Sequence, residues 1–203
     1  LSASIDGTLR LWHINRGKVL HTLQEPNPVM AVTLLPDEKQ VVSASFDGTL
    51  RLWSLDNGRL LQTLSGHNGP VFGLALIPSK RAIISAGADG TVKLWNLNTG
   101  NVSDTFSDKA VPIFLLQTGF INAVSVFPDG QYIISAVNDG TLNFWSFKTG
   151  SIIARFTGDS PLTACAVAKD GQMIVTGEQS GQIHFLHMES LNKLQERSPH
   201  SFL

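Results

Sequence analysis

Apolar and polar residues alternate in short runs along this chain, and nearly every run is bounded by Gly, Asp, Asn or Pro. A period of two is the mark of a strand that buries one face, and no stretch before residue 188 has helical spacing. The runs come in sets of four. In the clearest set, Gly66 to Phe106, the pattern predicts strands over Val71 to Ile77, Arg81 to Ala86, Thr91 to Asn96 and Val102 to Phe106, with turns at Pro78-Ser79-Lys80, Asp89-Gly90 and Asn98 to Gly100. The expected fold class is all-β, assembled from small antiparallel sheets.

The sets repeat. Asp47 to Trp53 reads DGTLRLW and Asp6 to Trp12 is identical; Asp89 to Trp95 reads DGTVKLW, Asp139 to Trp145 DGTLNFW, and Ser180 to Leu186 SGQIHFL. Their first positions lie 41, 42, 50 and 41 residues apart, a period typical of stacked repeats. Asp-Gly predicts a tight hairpin with both central residues at positive φ. The register it sets sends Leu50 and Leu52 to one face and Trp53 to the other. Each sheet is then apolar on both faces and has to be sandwiched, which identical sheets achieve by stacking around an axis as the blades of a propeller.

The order Gly66-His67, strand, turn, Ser85, Asp89, Trp95 resembles the WD-repeat family of β-propellers, and the resemblance covers residues 1 to 188. It implies a hydrogen-bonded tetrad within a blade, here His67, Ser85, Asp89 and Trp95, complete in this blade alone. Elsewhere Ser2, Ser43, Ser135 and Thr176 take the Ser/Thr position and Trp12, Trp53 and Trp145 the Trp position. The Gly-His pair is missing from those repeats, where Gln24-Glu25, Ser107-Asp108 and Gly158-Asp159 stand nearby. Blades are expected at about 1–24, 29–64, 70–106, 121–156 and 162–188: three whole four-stranded blades flanked by one lacking its innermost strand and one lacking its outermost. Residues 189–203 form a polar C-terminal tail. Seven blades of such a period would need roughly 290 residues, so an open arc of a larger ring is expected. Phe156 to Glu189 resembles the last blade of bacterial multidomain WD-repeat proteins, which implies an upstream NTPase or signalling module in the same polypeptide.

Charge changes this picture little. Fifteen Lys+Arg against sixteen Asp+Glu leave a formal charge of -1, so no basic excess draws in nucleic acid or anionic lipid. A single cysteine, Cys165, excludes an internal disulfide framework and multi-cysteine zinc sites. The apolar runs Phe72 to Ile77 and Ile113 to Leu116 are far too short to span a membrane, and the expectation is a soluble, cytoplasmic protein.

Candidate chemistry is sparse. Four hairpin aspartates could converge on a metal, but each precedes a Gly at a turn that needs it, which favours a structural role. His184 and His187, three apart on a strand, point oppositely, so no joint metal site is expected of them. His13, His21 and His200 have no companions, and Cys165 sits in an alternating run as a small inert thiol. Nucleophile-elbow, phosphate-loop and H-E-x-x-H motifs are absent, so neither catalytic residues nor a cofactor nor a metal is expected.

Recognition has better candidates. Residues 107–119 carry Ile113 and Phe114 in a connection on the propeller rim, either packed on a blade or open to a partner. The residue before each hairpin Asp (or, in the last repeat, Ser180), Ile5, Phe46, Ala88, Asn138 and Gln179, occupies a frequent contact site of the family that the chain resembles. The expected function is a non-enzymatic scaffold or sensor region binding a protein or peptide. A propeller enzyme or small-ligand binder using the central channel, and a fragment without independent function, are the alternatives.

Overall fold

The computed structural model describes residues 1–77, 80–107 and 119–188, and among these the regular structure is strand, apart from one short 3-10 turn at Ile14–Arg16. The first sheet holds β1 (Ser2–Ala3), β2 (Thr8–His13) and β3 (Lys18–Gln24). The second holds β4 (Val29–Leu34), β5 (Gln40–Ser45), β6 (Thr49–Ser54) and β7 (Leu60–Ser65). The third holds β8 (Val71–Leu76), β9 (Ala82–Gly87), β10 (Val92–Asn96) and β11 (Val102–Phe106). The fourth holds β12 (Ile121–Val126), β13 (Tyr132–Val137), β14 (Thr141–Ser146) and β15 (Ile152–Thr157), and the fifth β16 (Leu162–Val167), β17 (Met173–Glu178) and β18 (Ile183–His187). In every sheet spatial order follows chain order and all pairs are antiparallel, because short connections allow only neighbouring pairing. The result is the expected all-β propeller arc: three four-stranded blades between two three-stranded ones, in an open arrangement. Ile113, Phe114 and the tail 189–203 lie outside the described residues.

The hairpins that set the register differ from the sequence expectation. Ser45 O accepts the Gly48 amide at 3.2 Å, closing a turn over Phe46 and Asp47, and Gly48 alone takes positive φ, +86°. The same closure joins Ser4 to Gly7, Gly87 to Gly90, Val137 to Gly140 and Glu178 to Gly181. None of Asp6, Asp47, Asp89 and Asp139 has positive φ. The connection is therefore a three-residue loop with a left-handed glycine rather than a two-residue Asp-Gly turn. In the four Asp hairpins the Asp side chain fastens this loop, its Oδ1 accepting both the amide and the hydroxyl of the Thr after the Gly, at 3.0 and 2.7 Å for Asp47 and Thr49. The residue before each Asp thereby becomes part of the loop tip.

Stacking follows from the register. Val41 pairs with Trp53, Ile83 with Trp95 and Ile133 with Trp145, while Val42 pairs with Leu52, Ile84 with Leu94 and Ile134 with Phe144. The Trp rows and the Leu/Phe rows face opposite gaps. Leu50, Leu52 and Val42 of the second blade meet Ile83 and Trp95 of the third, and Ile84 and Val92 of the third meet Ile133 and Trp145 of the fourth. Trp53 and Val41 close on Leu9 and Leu23 of the first blade, and Ile134, Leu142 and Phe144 close on Leu162 and Ile174 of the fifth. Each large side chain so buried contributes about 1.5–3 kcal/mol, which makes the gaps the main source of stability. Gly73 lets β8 and β12 approach closely, since a Cβ there would lie 3.1 Å from the Ala123 Cα and the Val124 amide nitrogen. The end faces show the same positions uncovered: Trp12 is 38% exposed and Phe185 68%, against 0% for Trp95 and 4% for Leu52.

A candidate interaction rim and the polar networks beneath it

Both hairpins between second and third strands and the connections into each innermost strand lie at one end of the blades, and repeated backbone bonds tie them together. The Phe46 amide donates to Pro28 O, Ala88 to Pro70 O, Asn138 to Phe120 O and Gln179 to Pro161 O, at 2.8–2.9 Å. In the first blade the Val29 amide donates to Ser4 O, next to Ile5. Ile5, Phe46, Asn138 and Gln179 are exposed on this rim and Ala88 is half-buried. The opposite rim is knit in the same way, the Leu55 amide to Lys39 O, Leu97 to Arg81 O and Phe147 to Gln131 O.

Beneath the rim, the polar contacts around the Ser/Thr position differ from blade to blade. In the third blade Trp95 Nε1 donates to Ser85 Oγ at 2.7 Å, Ser85 Oγ lies 2.6 Å from His67 Nε2, and His67 Nδ1 lies 2.9 Å from Asp89 Oδ2. The set is satisfied with the imidazole proton on Nδ1, each donor pointing one step closer to the carboxylate. Burial works to raise the Asp89 pKa, but His67, the Asn68 amide and Thr91 more than offset it and hold the carboxyl far below its usual range.

The second blade replaces the imidazole by a carboxylate and a guanidinium. Glu25, its side chain wholly buried, accepts from Ser43 Oγ, from Trp53 Nε1 at 3.2 Å and from Arg51 Nη1 at 2.7 Å. Arg51 Nη2 reaches Asp47 Oδ2 at 2.6 Å, so the arginine spans two carboxylates. Burial also opposes ionisation of Asp47, yet Thr49 and Arg51 lower it to about 2. In the fourth blade Trp145 Nε1 donates to Ser135 Oγ at 2.9 Å, with Arg155 Nε on Asn143 Oδ1 at 2.9 Å beside it.

In the fifth blade a buried carboxylate again takes over. Glu178 accepts from His184 Nε2 at 2.7 Å, Ser180 Oγ at 2.8 Å, Ser160 Oγ at 2.9 Å and the Asp159 amide at 3.0 Å. The bond with His184, helped by the two serines and opposed by burial, holds Glu178 at about 2. Gly158 makes the room, because a Cβ there would collide with Glu178 Oε1.

The family model of the WD domain, G-beta repeat, matches residues 17–54, 58–96 and 111–146, more than half of the chain. The chain belongs to the WD-repeat family. No curated protein matches it. WD-repeat propellers are typically non-enzymatic scaffolds that bind proteins or peptides. In these repeats the hairpin aspartates turn their Oδ1 atoms onto their own loops, to Thr8, Thr49, Thr91 and Thr141, at 2.6–3.1 Å. Among the described residues no three His, Cys, Asp or Glu side chains are grouped to hold a metal, and no helix is long and apolar enough to cross a membrane. His184 is held by Glu178 while His187 is exposed, and burial pushes the Cys165 thiol up to about 12.

Sequence reasoning missed Glu25, Arg51, Glu178 and His184 as network members of these WD repeats. A signal for two of them was present. Glu25 stands where Gly-His is missing, and Arg51 replaces a lysine, Lys93, of the complete repeat. Reading the two as a complementary pair required knowing that they meet across 26 residues of chain.

Proposed function

We propose that this WD-repeat arc is a scaffold or sensor region without catalytic activity, part of a larger cytoplasmic multidomain protein, that binds a protein or peptide on the rim of Ile5, Phe46, Ala88, Asn138 and Gln179. The observation that carries the reading is the repeated station of these side chains. Four of them hang from the same amide-to-carbonyl bond and the fifth from a hairpin tied to the neighbouring blade, while their chemistry differs from blade to blade. Unlike side chains on an invariant rigid frame are the arrangement in which recognition concentrates. Ile5 is 78% and Phe46 52% exposed, so two large apolar side chains stay in water at loop tips where they do little for folding.

The networks below have a structural part in this reading. His67, Ser85, Asp89 and Trp95 lock the third hairpin to its blade, and the Glu25 and Glu178 sets do so for the second and fifth. An NTPase or signalling module upstream in the same polypeptide would read occupancy of the rim. The test is a photo-crosslinking amino acid placed at position 46, or at position 57 on the opposite rim, in the full chain in its native cell. A discrete crosslinked protein from 46 and none from 57 is expected. Equal yields from the two, or none from 46, sinks the assignment of this rim.

A further inference from the structure

Net charge hides a polarity between the two rims. Among the described residues, the loops of the rim that carries Ile5 and Phe46 contain Asp6, Asp47, Asp89, Asp139 and Asp159 and neither lysine nor arginine. The loops of the opposite rim contain Arg16, Lys39, Arg59, Lys80, Arg81, Lys148 and Lys169 interspersed with carboxylates. Strands of six residues separate the rims by roughly 20 Å, and the Debye length in physiological salt is about 8 Å. A partner approaching one rim therefore feels that rim and not the molecular sum.

The acidic rim also has an apolar centre at the junction of the first two blades. One segment, 25–29, bonds to both hairpins: the Glu25 amide to Gly7 O at 2.8 Å, the Val29 amide to Ser4 O at 3.1 Å, the Phe46 amide to Pro28 O at 2.9 Å, and Asn27 Nδ2 to Asp47 Oδ2 at 3.0 Å. Ile5 and Phe46 thus project from two hairpins clamped to one short connection, each followed directly by a carboxylate. Asp47 is already engaged by Arg51 at 2.6 Å, whereas Asp6 is exposed and lies 3.5 Å from Arg10, so its carboxylate stays accessible to an incoming cation. From this we infer that the rim docks a cationic protein segment that carries an apolar side chain: the apolar residue sits on Ile5 and Phe46, and a flanking lysine or arginine side chain lies against Asp6. The inference rests on the rim reading above and adds the chemistry of what binds.

The probe is a short fluorescein-labelled peptide with one Phe between pairs of Lys, titrated with the full chain by fluorescence anisotropy. Binding is expected to weaken as salt rises from about 50 to 200 mM, and to fall at least about tenfold in the Ile5→Ala, Phe46→Ala double variant with unchanged thermal unfolding. Replacing the peptide Phe by Ala is expected to cost a similar factor, and Asp6→Asn, which keeps an acceptor for Thr8, a smaller one. The inference is overturned if a peptide with Glu for Lys binds as well, if the double variant binds unchanged, or if neither peptide binds. A failed peptide beside a successful crosslink from position 46 removes the cationic partner and leaves the rim reading standing; failure of both removes the two together.

Discussion

Truncating Glu25 is the sharpest test of how this propeller holds its second blade. The Glu25→Ala variant leaves Arg51 Nη1, Ser43 Oγ and Trp53 Nε1 without the carboxylate that all three contact. Breaking a buried pair by removing one partner costs about 3–5 kcal/mol, because the remaining charge stays desolvated. Arg51 keeps Asp47 at 2.6 Å and its side chain is 10% exposed, and Trp53 keeps Ser43 at 3.1 Å, which places the loss at the lower end, about 3 kcal/mol. For a chain of this size that corresponds to a fall of roughly 6–12 °C in Tm. Thermal unfolding followed by tryptophan fluorescence and circular dichroism measures it, and hydrogen exchange locates it in β5 and β6. Replacing Glu25 and Arg51 together by methionine is expected to recover most of the loss, since an apolar pair of similar volume carries no desolvation penalty. A single variant within about 0.5 kcal/mol of wild type, the range of ordinary surface changes, would falsify the assignment of Glu25 as the substitute for the missing histidine.

Two further outcomes follow from the same networks and hairpins. Glu178 titrates at about 2 in the folded protein against an ordinary 4.5, so between these values the unfolded chain binds more protons and stability rises with pH. Its contribution is complete above pH 4.5 and lost as pH falls toward 2, and the Glu178→Gln variant is expected to flatten that acid limb of the stability profile; an unchanged limb in acid-denaturation curves rules the linkage out. Gly48→Ala places a Cβ at φ +86° and 2.9 Å from Gly69 O, whereas Gly17→Ala, at φ +59°, meets nothing within 4 Å. The left-handed conformation alone costs an alanine about 1–2 kcal/mol, so urea unfolding should show the larger loss at Gly48, and equal losses would remove the close approach as a constraint.

Much of the fold was legible because its causes are local. DGTLRLW and its relatives alternate side chains by twos, and the turn residues that follow at fixed offsets determine which rows face together; Leu50, Leu52 and Trp53 lie on the faces that this arithmetic assigns. The turn type was not legible. Asp-Gly is compatible with two loop geometries; the observed one keeps the Asp at negative φ with the Thr after the Gly on its carboxylate, and Ser180-Gly181 closes the same loop with neither Asp nor Thr. The candidate rim residues could be named from repeat position, yet their chemistry as a surface could not be judged from a chain in which acids and bases nearly cancel.

By itself, then, the sequence determined the repeat, the strand pattern, the two apolar faces and hence the stacked blades, since each depends on neighbours within a few residues. Tertiary structure decided what depends on meetings between distant ones. Glu25 could stand in for histidine only because Ser43, Arg51 and Trp53 surround it, and Glu178 finds His184, Ser160 and Ser180 only once two hairpins close. The gathering of most cations on one rim, and their absence from the described loops of the other, has the same origin, because antiparallel strands send alternate loops to opposite ends, roughly two Debye lengths apart.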